Sequence, residues 1–333
     1  MTTKPETGPI ALQSARPAVP KRRRVPVHGV LLLDKAVGRS SNDVLIQAKR
    51  LLNAEKAGHT GTLDPFATGL LPLCFGEATK FAQDLLESDK TYETTVHLGI
   101  TTTTGDTEGE MLAKALPEAL ADVTPERIEA VLARFRGPIL QTPPMYSALK
   151  RDGKPLYEYA RAGITLEREA RALTIHLLEM IDYVVPMLRL RVTCSKGTYV
   201  RVLGEDIGAA LGCGAHLQAL RRTAVGTLRL DDAVTLDTLA ALEELARAAT
   251  LAPVDALLMT LPAVSLDETL AQRFLHGQRL ALDKEEVAVA EGATRVRVYR
   301  LSDGRLLGTG QMQDYAVLAP ERLIATGAHQ PVK

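Results

Sequence analysis

The sequence predicts an α+β protein in which a large domain is followed by a small β-rich module. The apolar run Gly29–Lys35 is typical of a buried strand, and Met187–Cys194 alternates apolar and polar residues as a half-buried strand does. Apolar residues at helical spacing indicate helices over residues 44–52 and Val200–Leu211. A change to short alternating strands after Pro262 marks the start of the β-rich module.

Other periodic segments complete this order of elements. Thr124 and Pro125 suit the start of a helix that residues 137–138, a Gly-Pro pair, should end. In the β-rich module, residues 302–305 form a hairpin signal ahead of a strand that begins at Leu306. Further helices are expected at residues 77–87 and 236–249, and a further strand at residues 91–98.

The composition excludes several classes of protein. Lys and Arg total 40 and Asp and Glu also total 40, so the net charge lacks the basic excess typical of nucleic-acid binders. An RNA-binding surface would therefore require local clustering of basic residues. We find no apolar run that could cross a membrane, no signal peptide, and three cysteines without zinc-like spacing. We expect a soluble cytoplasmic protein without a structural metal.

Residues 1–27 are rich in Pro, Ala, Ser and Thr and include the basic run at residues 21–24. Such a segment buries too little apolar surface to offset its ordering entropy, so we predict a disordered basic tail. The basic run is either a solvated patch or an arm that binds phosphate.

The segment at residues 58–69 contains three glycines and three threonines around a single carboxylate, Asp64. Glycine-rich loops often carry functional sites, and Pro65 restricts Asp64 to extended backbone angles. A rigid carboxylate beside apolar neighbours suits a nucleophile or a base. Composition alone nevertheless favours a simple Asp-Pro turn. His59 is either a structural hydrogen-bonding group or a stacking or titrating group.

Two further clusters carry basic residues. Residues 194–201 follow the clearest strand, and their Lys196 and Arg201 could bind phosphate, or Arg201 could pair with a buried carboxylate. Arg221 and Arg222 could simply cover a helix surface. The sequence contains no phosphate-binding P-loop and no dinucleotide fingerprint.

At these segments the chain resembles a known family, the bacterial tRNA pseudouridine synthases of the TruB type, which modify uridine 55 in the T-loop. Residues 58–69 are similar to the central motif of that family, and residues 29–41 to its opening motif. Residues 141–161, 194–201 and 213–222 are similar to three more, in the same order. The resemblance extends from about residue 28 to residue 222, and more loosely beyond. It overturns the simple-turn interpretation of Asp64.

The resemblance implies a pseudouridine-synthase fold, with a central, mostly antiparallel mixed sheet flanked by helices. It places the catalytic domain at residues 28–262, a PUA-like RNA-binding domain at residues 263–326 and a short tail at residues 327–333. Residues 141–163 would be an insertion that grips the T-loop. Their mixture of basic and aromatic residues is also what an RNA loop requires, although a plain surface excursion would fit as well.

The resemblance also assigns roles to individual positions. Asp64 corresponds to the catalytic aspartate, and Arg201 to the arginine that pairs with it and should keep it charged. Substrate-binding positions are implied for His59, Tyr92, Tyr199, Leu220, Lys35 and Asp106, with Tyr92 stacking on the target uracil. RNA contacts are expected from Lys150, Arg151, Lys154, Arg161, Lys196 and Arg222.

The chain departs from the family pattern in three places. Ala36 stands where the family usually has proline, and Phe66 replaces a common leucine. The run Thr101–Thr102–Thr103–Thr104 replaces a usual Arg-Thr-Asp-Thr, which weakens the assignment of Asp106.

The implied reaction moves a glycosidic bond from nitrogen to carbon of one uracil ring, so it needs no metal, nicotinamide or ATP. The expected partner is the T-loop and stem of tRNA, and we expect a monomer without an obligatory protein partner. Two alternatives stay open: a synthase of the archaeal and eukaryotic kind that works inside a guide-RNA particle, and an RNA chaperone that refolds tRNA without catalysis.

Overall fold

The computed structural model describes residues 23–325. The strands are β1 Gly29–Lys35, β2 Ala57–His59, β3 Thr68–Phe75, β4 Lys90–Leu98, β5 Ile100–Thr102, β6 Met111–Lys114, β7 Gly137–Gln141, β8 Lys150–Arg151, β9 Lys154–Pro155, β10 Arg171–Val184, β11 Met187–Cys194, β12 Ala215–Val225, β13 Leu228–Arg229, β14 Val234–Thr235, β15 Ala263–Leu266, β16 Leu280–Ala281, β17 Arg295–Arg300, β18 Leu306–Gln313 and β19 Val317–Leu323. The helices are α1 Ser41–Leu51, α2 Ala82–Glu87, α3 Pro117–Ala121, α4 Pro125–Ala133, α5 Leu156–Arg161, α6 Val200–Leu211, α7 Leu236–Ala241, α8 Glu244–Ala249 and α9 Glu268–Leu275, with 3-10 turns at Gly76–Phe81, Leu230–Asp232, Val254–Leu257 and Asp314–Ala316.

The large sheet has the strand order β14-β1-β3-β12-β4-β11-β10-β7, with β2 and β13 attached at its side. Only the β14–β1 and β3–β12 pairs are parallel among these neighbours in the described chain. This confirms the predicted fold class, a mostly antiparallel mixed sheet with flanking helices. Because β3, β12, β4 and β11 are adjacent, residues distant in sequence meet at the centre of the sheet.

Helix α6 packs closely on β12, and glycine makes this approach possible. A Cβ atom added at Gly208 would lie 2.4 Å from the Cβ of Ala215, so any larger residue would push the helix away from the sheet. The predicted bounds of α6, β1 and β11 are confirmed. The fixed position of α6 matters because Arg201 is its second residue.

The second sheet has the order β15-β17-β18-β19-β16, with α9 packed against it. It shares an apolar core with the large sheet, in which Leu306 and Ile324 pack with Val30 and Phe81. Arg295 on β17 pairs with Asp84 on α2, and with Glu321 at 2.5 Å. The predicted hairpin at residues 302–305 joins β17 to β18.

Several predictions of secondary structure were wrong. The helix predicted at residues 236–249 is broken at Leu242, whose ψ of 148° is extended, so α7 and α8 are separate. Arg247 donates hydrogen bonds to the carbonyls of Leu239 and Ala240, which satisfies acceptors at the end of α7. Arg221 and Arg222 lie on β12, in the middle of the sheet, and not on a helix surface.

The end of the predicted tail also differs from the structure. Val25, inside the predicted tail, forms a backbone bridge with Ala54, and Arg24 donates to the Ala54 carbonyl at 2.9 Å. Residues 24 and 25 therefore belong to the folded domain. The rest of the predicted basic tail, at residues 1–22, and the predicted terminal tail at residues 327–333 lie outside the described residues.

Two further observations concern membrane-spanning helices and the cysteines. No helix among residues 23–325 is long and apolar enough to cross a membrane. Cys74, Cys194 and Cys213 are buried free thiols.

Candidate active site

Asp64 lies in the loop that connects β2 to β3, at the centre of the large sheet. Its carbonyl accepts a hydrogen bond from the Ala67 amide at 3.1 Å, so an Asp-Pro turn does form. Its carboxylate remains accessible, with 41% of the side chain exposed. At the end of the loop, Gly69 has a φ of +97°, and a Cβ there would lie 2.3 Å from the Arg222 carbonyl oxygen. This glycine is required for contact with strand β12.

Lys35 holds the Asp64 loop through hydrogen bonds to backbone carbonyls. Its side chain is fully buried, and its ammonium donates to the carbonyls of Ala36, Pro65 and Ala67 at 3.0, 3.2 and 2.6 Å. Burial lowers the pKa of Lys35 to about 8, although the nearby Asp64 carboxylate opposes this shift. Lys35 uses only the backbone carbonyl of Ala36, which the usual proline would also supply, so this departure from the family pattern keeps the contact.

Arg201 forms the electrostatic centre of the site. Its Nε lies 3.0 Å from Asp64 Oδ2 and 3.5 Å from Asp106 Oδ2. Its two terminal nitrogens donate to the carbonyls of Thr104 and Tyr146, each at 2.7 Å. Only 5% of the side chain is exposed, so the guanidinium is fixed while Asp64 faces open space.

Asp106 lies behind Arg201 and is held by Thr102 and Thr104, the two threonines of the run that match the family pattern. Its carboxylate accepts hydrogen bonds from the Thr104 hydroxyl and from the Glu108 amide, the latter at 2.9 Å. The Thr102 hydroxyl donates to the Asp106 carbonyl at 2.8 Å. The threonines therefore supply local hydrogen bonds that keep Asp106 next to Arg201.

A cavity of about 250 Å³ opens beside Asp64. Its walls include the predicted residues Tyr92, Tyr199 and Leu220, together with Arg201. Burial raises the pKa of Tyr92, with the Arg222 charge opposing, and burial also raises the pKa of Tyr199. Both phenols are therefore neutral at physiological pH.

A wider cleft of about 930 Å³ lies on the other side of Asp64. It is lined by His59, Tyr157, Arg161 and Asp106, among others. His59 Nδ1 is buried without a hydrogen-bond partner in the described chain, and burial lowers the pKa of this imidazole. The histidine is thus kept neutral and has a free ring nitrogen.

The predicted gripping insertion forms a small hairpin, β8–β9, followed by α5. Lys150, Arg151, Lys154 and Arg161 are exposed on it, and Arg161 lies 5.3 Å above the ring of Tyr157. Lys196 is exposed as well but pairs with Glu87. These basic residues are therefore at the surface, and Arg161 lines the cleft.

Arg222, also expected to contact RNA from the surface, is 1% exposed. Its guanidinium donates to the carbonyls of Leu70 and Gly61 at 2.8 and 3.2 Å, which draws it under the Asp64 loop. It borders the small cavity from inside the protein. The surface role assigned to Arg222 is therefore corrected, because β12 is a central strand.

The polar face of β11 carries two arginines, Arg189 and Arg191. Arg191 pairs with Glu93 at 3.0 Å, and Arg189 lies 4.0 Å from the same carboxylate. Their charges are therefore largely balanced within the sheet.

Sequence reasoning missed two charged residues of the site. Lys90, at the start of β4, is 8% exposed and lines the small cavity. Glu108 lines the cleft, where burial and the nearby charge of Asp106 raise its pKa. The position of Lys90 two residues before Tyr92, hence on the same face of the strand, was the available signal. As to metals, the described residues contain no cluster of three or more His, Cys, Asp or Glu side chains able to hold one.

Comparison with known proteins identifies the family. The model described as TruB family pseudouridylate synthase (N terminal domain) matches residues 49–200. Two C-terminal models follow, tRNA pseudouridylate synthase B C-terminal domain at residues 201–259 and Pseudouridine synthase II TruB, C-terminal, at residues 262–324. The chain is 62% identical over 313 residues to a tRNA pseudouridine synthase B of Burkholderia mallei, covering 93% of this chain and 98% of that protein.

The chain belongs to the TruB family of tRNA pseudouridine synthases. A tRNA pseudouridine synthase B of Ralstonia pickettii is 60% identical over 323 residues, covering 94% of this chain and 98% of that one. This TruB-family chain is accordingly an isomerase.

Solved structures agree with the fold of this TruB-family enzyme. An archaeal box H/ACA sRNP Nop10-Cbf5 complex contains a chain with a TM-score of 0.66 and 25% identity, covering 90% of this chain and 86% of that one. A Cbf5-Nop10-Gar1 complex matches with a TM-score of 0.65 and 27% identity, covering 87% and 79%.

Proposed function

We propose that this TruB-family enzyme converts uridine 55 in the T-loop of tRNA to pseudouridine, with Asp64 as the nucleophile. The observation that carries the proposal is the position of Asp64 between a base-sized cavity and a wide cleft, 3.0 Å from Arg201. A nucleotide could pass from RNA in the cleft into the cavity and meet the carboxylate on the way.

The target base must leave its stack to reach Asp64, because a side chain cannot reach a stacked base. Splaying out a loop nucleotide costs a few kcal/mol, which new contacts must offset. Tyr92 and Leu220 supply aromatic and apolar surface inside the cavity. His59, at the wall of the cleft, is suited to occupy the space that the flipped base vacates.

Asp64 would attack either the uracil ring or the anomeric carbon of ribose. In both paths the bond between ribose C1′ and N1 breaks and a bond between C1′ and C5 forms. The proton on C5 is lost, and N1 gains one. The overall reaction needs no oxidant, no cofactor and no second substrate. Arg201, 3.0 Å away, is well placed to orient the Asp64 carboxylate for attack.

The basic insertion is suited to hold the RNA during this step. Lys150, Arg151 and Lys154 lie within five residues of each other on an exposed hairpin, and Arg161 borders the cleft itself. Such a mixture of cations and tyrosines favours an RNA loop, whose phosphates and unstacked bases are both accessible. We infer that the hairpin contacts the T-loop and its stem.

The high identity to tRNA pseudouridine synthase B proteins, against 25–27% to Cbf5 chains, supports action without a guide RNA. A guide-dependent enzyme would leave an isolated T-loop hairpin unmodified. A tRNA chaperone role is compatible with the same surface, and only catalysis requires the carboxylate of Asp64.

The direct test is to treat an unmodified tRNA transcript with the purified protein and map pseudouridine by carbodiimide-primed extension and mass spectrometry. We expect one pseudouridine, at position 55, in the absence of other proteins or RNA. A transcript with cytidine at position 55 is the matched control and should gain none. Modification elsewhere, or only with an added guide RNA, would contradict the proposal.

A further inference from the structure

Lys90 and Arg222 form a cationic floor beneath the small cavity. Both side chains line the cavity, and they are 8% and 1% exposed. They lie on adjacent strands, β4 and β12. Lys90 is two residues before Tyr92 on β4, and Arg222 on β12 is the residue paired with Tyr92 in the register.

The two cations are held by neutral carbonyls. Lys90 donates to the carbonyls of Leu86, at 2.6 Å, of Ser88 and, at 3.4 Å, of Leu85. Arg222 donates to those of Leu70 and Gly61. Neither cation has a carboxylate within ion-pair distance among residues 23–325, whereas Arg201 is paired with Asp64 and Asp106. The floor therefore keeps a positive potential that the protein does not cancel.

Burying an unpaired charge costs free energy, so two buried cations beside the cavity indicate a functional role. Burial and, to a lesser extent, the Arg222 charge on β12 lower the pKa of Lys90 to about 8. Cys194 on β11 and the carboxylates of Asp89 and Glu87 oppose this shift. Near neutral pH most Lys90 side chains still carry the proton, and the cavity contains two buried cations.

The reaction develops negative charge on the base. When the bond between C1′ and N1 breaks, its electron pair stays on the uracil, and the charge spreads over N1, O2, N3 and O4. After the base turns, C5 bonds to C1′ as the bond between C1′ and the Asp64 carboxylate breaks, the C5 proton passes to water, and N1 takes a proton from water. If Asp64 instead adds to the ring first, the ring again becomes anionic. A preorganised positive potential in a site shielded from water stabilises such charge strongly.

We infer that Lys90, together with Arg222, is a positioning residue that stabilises the anionic uracil electrostatically and fixes the cavity wall carried by α2. The inference deepens the proposed function and rests on it. Lys90 acts through its charge and through the carbonyls at the end of α2, since its own donors are already occupied. Leu86 on that helix end lines the cavity and would shift if Lys90 were lost.

The test compares Lys90→Met, which removes the charge, with Lys90→Arg, which keeps it. Single-turnover rates and tRNA affinity are measured with the full chain, using a tRNA uridine that the wild type modifies. We expect Lys90→Met to slow turnover at least about 50-fold with affinity within threefold, and Lys90→Arg to restore most of the rate. Lys114→Met, at an exposed lysine of β6, is the matched control and should leave both unchanged.

The pH profile separates charge from packing. The wild-type rate should fall above about pH 8, as Lys90 loses its proton, and Lys90→Arg should move this fall to higher pH. Lys35, whose pKa is also lowered to about 8, could cause the same fall, so Lys35→Arg is measured in parallel. A profile that stays unmoved in Lys90→Arg even when Lys35 is also changed to arginine, an arginine variant as slow as the methionine one, or full turnover in Lys90→Met would each overturn the inference. If the wild type modifies a uridine other than 55, the proposed target fails while this comparison stands.

Discussion

Arg201 and Asp64 form an asymmetric pair: the guanidinium is 5% exposed and the carboxylate, 3.0 Å away, is 41% exposed. The cation is immobilised by two carbonyls and a second carboxylate, so the charge balance of the site is fixed before any RNA binds. Asp64 is the member of the pair that can reach a ligand. This division suits a nucleophile held in position by a buried counter-ion.

Replacing Arg201 should damage turnover more than binding. Arg201→Ala leaves Asp64 without its partner and Asp106 as a buried unpaired carboxylate. We expect turnover to fall roughly 100-fold or more, as when a preorganised charge is removed from an active site. Single-turnover kinetics and filter binding measure the two effects. Affinity loss that accounts for the entire decrease in rate would contradict the pairing role.

Asp106 should matter through Arg201. Asp106→Asn keeps an oxygen that can accept from Thr104 and the Glu108 amide but removes the charge 3.5 Å from Arg201. We expect a loss of about tenfold in turnover, smaller than that for Arg201→Ala, because the Thr104 and Tyr146 carbonyls still hold the guanidinium. The double variant should be no slower than Arg201→Ala alone. Multiplication of the two losses would indicate independent roles.

The basic insertion should act on RNA affinity. Changing Lys150, Arg151 and Lys154 together to Gln removes three exposed cations. We expect weaker tRNA binding and a slope of log affinity against log salt that is smaller by roughly two to three. Turnover at saturating tRNA should be nearly unchanged. A triple change of the exposed Lys114, Arg134 and Lys56 to Gln is the control for total charge; an equal effect in this control would contradict a local grip.

The interface between the two sheets should contribute to stability. Arg295→Met removes the pair with Asp84 and leaves that carboxylate and Glu321 partly buried. We expect the free energy of unfolding to fall by about 1–3 kcal/mol and the Tm to fall with it. Arg279→Met, at an exposed arginine just ahead of β16, should change Tm less. An unchanged Tm in Arg295→Met would show that the shared apolar core alone joins the two sheets.

Local patterns were enough to predict the elements of regular periodicity. β1, β11 and α6 were bounded correctly because their apolar spacing is uninterrupted. The long strand β10 and the central strand β12 were not predicted. In β12, residues such as Arg221 and Arg222 look like surface residues until the pairing of β12 with β3 and β4 is known. Similarly, nothing local separates the chain at Leu242 into two helices.

The site was predicted in part for the same reason. Family resemblance gave Asp64, Arg201, Tyr92 and Asp106, and the geometry brings them together. Resemblance could not show that Lys35 binds three carbonyls of the Asp64 loop, or that Arg222 and Lys90 are buried. Those facts depend on which strands are neighbours, a property of the whole fold.

The central claim is that the Asp64 carboxylate is the nucleophile, and Asp64→Asn tests it most directly. The amide is nearly the same size and can still accept a hydrogen bond from Arg201, so the variant should fold and bind tRNA within a few-fold of the wild type. Its single-turnover formation of pseudouridine, measured by mass spectrometry of the treated tRNA, should be undetectable. Turnover at or near the wild-type rate in this variant would contradict the account.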